Sequence, residues 1–141
     1  MIDAVLLAVD DPSSAERVTS LVEGVVIVSL PPECPPGDIV ALATQVCGRR
    51  PERPLLAADG ARGGELTTAA LTGWLPVAAV AVAPRFAAMP LQVRARFPLA
   101  LAPMDGDGRV LAERLVAAGH PVIVVEGDVV DAVEALLSRG L

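Results

Sequence analysis

The stretch RPLLAADGARGGELTTAALTGWLPVAAVAVAP (53–84) carries two apolar runs, Pro54–Ala58 and Val77–Ala83, on either side of a glycine-rich segment, Asp59–Gly64. A small-residue helical stretch from Glu65 to about Trp74 separates the segment from the second run. Continuous apolar runs of five to seven residues read as strands covered on both faces. Glycines between a strand and a helix let backbone approach a ligand closely, and the first amides of the new helix are unsatisfied donors. The segment is therefore either an ordinary βα turn or an anion or oxyanion site. Arg85, Phe86 and a connection rich in arginine and proline then lead into Pro98–Ala102, a further short apolar run.

The same rhythm extends in both directions. Upstream, Ile2–Val9 and Val25–Leu30 read as strands. Helices are expected over about Ser14–Glu23, after the capping residues Asp10–Ser13, and over Ile39–Cys47. Downstream, a helix from Asp107 or Gly108 to about Ala118 is expected, then a strand at Pro121–Val125 and a helix over Asp128–Ser138. Strands alternating with helices predict one α/β domain over residues 1–141 with a mostly parallel sheet.

Composition narrows the function. The chain has 141 residues, 53% of them hydrophobic and only 2% aromatic, so the core must be built from Ala, Val and Leu. A net charge of −6 argues against a nucleic-acid surface, which needs a basic excess on one face. Two cysteines, Cys34 and Cys47, make neither a disulfide framework nor a metal site, and a reducing, cytoplasmic setting is expected. No apolar run reaches the roughly 20 residues of a membrane helix, and the amino terminus lacks the basic start of a signal peptide.

The central residues resemble the enoyl-CoA hydratase/isomerase (crotonase) superfamily. Pro54, Ala57, Ala58, Gly60, Gly63, Gly64, Glu65 and Leu66 are similar to its proline–alanine–glycine pattern followed by Glu-Leu. Arg85-Phe86 and Met89-Pro90 are similar to its Phe-x-x-Pro segment, and Gly119-His120-Pro121-Val122 to a later turn. The resemblance implies a ββα-type spiral fold without the family's C-terminal helical region, a trimeric homo-oligomer, and a substrate carried as a thioester on CoA or an acyl carrier protein. No separate cofactor is implied.

It also implies site residues. Amides of Gly37 or Asp38 and of Gly63 or Gly64 would form an oxyanion hole that stabilises an enolate, each donor being worth about 2.7–4 kcal/mol. Glu65 would be the acid/base, with Arg62 and Arg85 on the thioester or CoA phosphates; Arg94 and Arg96 are further candidates for those phosphates. The family's second acid falls on Leu91, so a one-base lyase or isomerase reaction suits the chain better than hydration.

Two other readings stand beside this one. The chain is a catalytically degenerate relative that partners another enzyme, or it is a flavodoxin-like CoA- or nucleotide-binding domain with its ligand at a topological switch point. Of the remaining candidates, His120 fits a structural place at a helix end, and Asp105 and Asp107 fit turn chemistry rather than a calcium loop.

Overall fold

A computed structural model describes residues 2–49, 52–88 and 92–140. Among these residues six strands form one sheet: β1 (Ala4–Ala8), β2 (Val26–Ser29), β3 (Leu55–Asp59), β4 (Ala79–Pro84), β5 (Leu99–Leu101) and β6 (Val122–Val124). Five helices connect or follow them: α1 (Pro12–Leu21), α2 (Pro36–Gly48), α3 (Gly60–Leu71), α4 (Gly106–Ala117) and α5 (Val129–Leu137). The strand order is β2-β1-β3-β4-β5-β6, and every neighbouring pair is parallel. The α/β expectation with a mostly parallel sheet therefore holds. Single strands alternate with helices, whereas a ββα spiral sets two strands against each helix. Among the described residues only β4 and β5 follow one another with no helix between.

Burial explains the layering. The four central strands are apolar up to the terminal Asp59 of β3 because both of their faces are covered. On one face, Leu6, Leu56, Val80, Val82, Leu99 and Leu101 pack against α2, α3 and α4 through Ile39, Leu66 and Leu111. On the other, Val5, Leu7, Leu55 and the alanines of β4 and β5 meet α1 and α5 through Val18, Val133 and Leu136. Each fully buried Leu or Val contributes about 1.5–3 kcal/mol, so these two cores carry the fold in place of aromatic clusters.

The order 2-1-3-4-5 is that of flavodoxin-like doubly wound sheets, here extended by β6. The chain steps outward from β1 to β2, then returns past β1 to β3 and proceeds to the opposite edge. The reversal leaves a crevice beyond the carboxyl ends of β1 and β3, the place where such sheets bind ligands.

Helix α3 begins five residues before the expected start. The glycine-rich segment read as a turn forms its first turns instead. A Cβ on Gly63 would sit 3.2 Å from the Ala58 carbonyl carbon and from a Val82 methyl, and one on Gly64 would sit 2.0 Å from the Arg85 carbonyl oxygen. These two glycines let α3 lie directly on β3 and β4, and eight of its twelve residues are buried as a result. At its far end, the Arg94 and Ala95 amides donate to the Leu71 carbonyl at 2.8 and 3.2 Å, so the β4–β5 connection closes that terminus.

Candidate functional site

Strand β1 ends into Asp10 and strand β3 ends in Asp59, so parallel pairing brings two carboxylates, 49 residues apart in sequence, to one edge. Asp59 Oδ1 accepts a hydrogen bond from the Asp10 amide at 2.9 Å. Engaged there, it does not cap α3, whose amino end has no side-chain cap. Another helix that opens nearby, α5, is closed by a capping box in which Asp128 accepts from Val130 and Asp131 while Asp131 accepts from Asp128. The Gly60 amide is held by its bridge to β4, while the amino end of α3, without a side-chain cap, turns the positive end of its dipole toward the crevice.

Gly60 makes this junction with φ +65°, a conformation that side chains disfavour, and a Cβ there would stand 2.8 Å from Asp10 Oδ2. Its carbonyl accepts from the Arg85 amide at 2.9 Å, which fixes the backbone beyond β4 against the start of α3. Together these elements wall a cleft of about 410 Å³ lined by Asp10, Asp59, Gly60, Ala61, Arg85 and Asp128, with Ala83, Met104, Gly127 and Val129 completing it.

The charges divide clearly. Arg62 is 4% exposed and does not line the cleft: Nε and Nη2 donate to Asp10 Oδ1 at 3.1 and 2.5 Å, and Nη1 to the Pro31 carbonyl at 2.8 Å. It neutralises Asp10 and ties the ends of β1 and β2 to α3. Asp128 faces Arg17 at 3.8 Å. Two charged groups then remain for a ligand. Arg85 is exposed, and its guanidinium bonds to nothing among the described residues. Burial raises the Asp59 carboxyl above the usual aspartate value; the Asp10 amide and Arg62 oppose that rise, while the charges of Asp10 and Asp11 add to it. A carboxyl raised by burial beside an uncapped helix amino end and a free guanidinium can bind an anion and exchange a proton at one place.

The residues singled out in the sequence are dispersed. Arg85 lines the cleft, and Arg62 supports it from below. Gly63 and Gly64 are packed inside α3, and Glu65 is half-buried one turn beyond the cleft-lining residues. Gly37 and Asp38 stand exposed in the first turn of α2, where the Asp38 amide already donates to the Pro35 carbonyl at 3.0 Å. Met89, Pro90 and Leu91 lie outside the described residues. Asp105 caps α4 by accepting from the Gly108 amide at 3.1 Å. His120 is buried with its ring 5.3 Å from Phe97, edge to face, and burial lowers its pKa. Neither Cys34 nor Cys47 forms a disulfide among the described residues.

Sequence reading passed over Asp59 and Asp128 as site residues, and took Asp10 only as a capping residue. The available signal was an acid directly after each of two apolar runs, Val9-Asp10 and Ala58-Asp59. Among the described residues no group of three or more His, Cys, Asp or Glu side chains is placed to hold a metal, and no helix is long and apolar enough to cross a membrane. No protein-family model, no curated protein and no solved structure matches this chain.

Proposed function

We propose that this chain is a doubly wound ligand-binding domain that holds the anionic group of a small molecule, of the nucleotide or coenzyme A type, at the carboxyl edge of its sheet. The observation that carries this reading is the uncapped amino end of α3 standing beside the unpartnered Arg85 in the switch-point cleft. Backbone amides and an arginine are complementary to phosphate oxygens, and Asp59 is suited to accept from a ligand hydroxyl. Calorimetry with coenzyme A tests it. Binding that weakens about tenfold or more in Arg85→Ala, and that pantetheine without the phosphates does not reproduce, supports the reading. Equal binding by wild type and Arg85→Ala sinks it.

A second reading keeps the acyl-thioester chemistry that the crotonase resemblance implies, and the raised carboxyl of Asp59 favours it. The base would take a proton from the carbon next to the thioester. The C–H electron pair would move onto the thioester oxygen, where the α3 amides and Arg85 oppose the new negative charge. Exchange of acetyl-CoA methyl protons with deuterium, followed by NMR, reports that step alone. Loss of exchange in Asp59→Asn assigns the base to the cleft, and loss in Glu65→Ala assigns it to the position of the family's glutamate. Binding without exchange in the wild type leaves a degenerate relative or a binding domain.

A further inference from the structure

At the opposite, amino edge of the sheet, two adjoining clefts of about 430 and 320 Å³ share Gly73 and Arg94. The first is lined by Thr72, Trp74 and Gln92, the second by Arg53, Arg96 and the backbone around Leu75–Val77. Trp74 is 76% exposed, although the chain contains a single tryptophan and little other aromatic surface. No carboxylate lines either cleft. In a chain with 17 acids and 11 basic residues, three arginines without a carboxylate partner among the described residues therefore converge on one place.

Their existing contacts leave the charge uncompensated. Arg94 donates to the neutral Gln92 Oε1 at 3.2 and 2.9 Å, Arg96 donates one N–H to the Gly119 carbonyl, and Arg53 bonds to nothing among the described residues. The carboxyl-terminal ends of α3 and α4 lie nearby, each equivalent to roughly half a negative charge. Three full positive charges outweigh them.

We infer that this edge is a second binding site, distinct from the switch-point cleft, for a phosphorylated planar-ring compound of the nucleotide class. The ring stacks on the exposed indole of Trp74, and the phosphates enter the neighbouring cleft between Arg53, Arg94 and Arg96. Stacking is indifferent to the identity of the base, while guanidinium forks match phosphate oxygens. The site thus selects for phosphate and a flat ring together.

Because Trp74 is the only tryptophan, its fluorescence reads this site directly. Titration with ADP should quench it saturably. Adenosine, which keeps the ring and lacks phosphate, should bind at least about tenfold more weakly. Arg53→Ala and Arg94→Ala each remove an exposed side chain and should weaken ADP by about tenfold, with unchanged far-ultraviolet circular dichroism. Arg85→Ala should leave the response intact, which separates this site from the proposed one at the other edge. Equal quenching by adenosine and ADP, ADP affinity unchanged in the arginine variants, no quenching at millimolar ADP, or loss of the signal in Arg85→Ala would each overturn the inference.

Discussion

Replacing Gly64 by alanine tests how α3 is seated, and with it the shape of the cleft. An added Cβ would stand 2.0 Å from the Arg85 carbonyl oxygen and 2.8 Å from its carbonyl carbon, whereas side-chain contacts essentially never fall below 3.0 Å. Helix and strand end must therefore part by about 1 Å, and both are backbone, with no flexible side chain to yield. The parting also strains the hydrogen bond from the Arg85 amide to the Gly60 carbonyl. Overpacking of this kind costs about 1–3 kcal/mol and the strained hydrogen bond about 1 more. Better helix propensity returns about 1 kcal/mol. The net loss of about 1–3 kcal/mol should lower Tm by about 3–10 °C in a chain of this size, measured by calorimetry and circular dichroism. Gly37→Ala is the control: nothing lies within 4 Å of its Cβ position, so it should leave Tm unchanged or slightly raised. Alanine retains the amide N–H, so a residue needed only as a donor would tolerate the change. A Gly64→Ala protein as stable as wild type would refute the packing account.

Three further outcomes follow from the electrostatics. Asp59→Asn keeps an acceptor for the Asp10 amide and removes a charge whose ionisation the fold opposes. Since the folded pKa is raised, the wild type loses stability as pH climbs from the unfolded value of 3.8 through the folded one, so the variant should be more stable at pH 7, and its advantage should vanish toward pH 3, as read from urea midpoints. His120 is shifted the other way, by burial first and by Arg96, against the hydrogen bond to the Phe97 backbone. The unfolded chain then takes up a proton near pH 6.5 while the folded one resists, so stability falls as pH drops below that value, and His120→Gln should flatten this part of the profile. Arg62→Ala breaks the tie among Asp10, Pro31 and α3; Asp10 is 59% exposed and regains water, so a loss of about 2–3 kcal/mol is expected, with Arg62→Lys recovering only part of it.

The eleven elements among the described residues were legible in the sequence because each strand is built on an apolar run and each helix opens at Asp, Pro or Gly. Where α3 begins was not legible. Gly60, Gly63 and Gly64 read as a turn because glycine disfavours helix interiors, and only the distances from Gly63 to Ala58 and Val82 and from Gly64 to Arg85 reveal that close packing requires those two. The site was half legible. Arg85 stood out as a cation after a strand, whereas Arg62 looked equivalent in sequence and is buried against Asp10. The pairing of Asp10 with Asp59 arises from the register of β1 and β3, a non-local fact that no local spacing encodes. The division of Arg85 from Arg94 and Arg96, one at the carboxyl edge and the others at the amino edge, likewise follows from the direction of β4 and its return to β5.

The most direct test of the central claim is a ¹⁵N NMR titration of the chain with coenzyme A, following backbone amides residue by residue. The account predicts that the largest shifts fall on Gly60, Ala61 and Arg85, with smaller ones at Ala83 and Asp59, and that they disappear in Arg85→Ala. Shifts confined to the first turn of α2 around Gly37, or to the Trp74 edge, or an unperturbed spectrum at millimolar ligand, would contradict it.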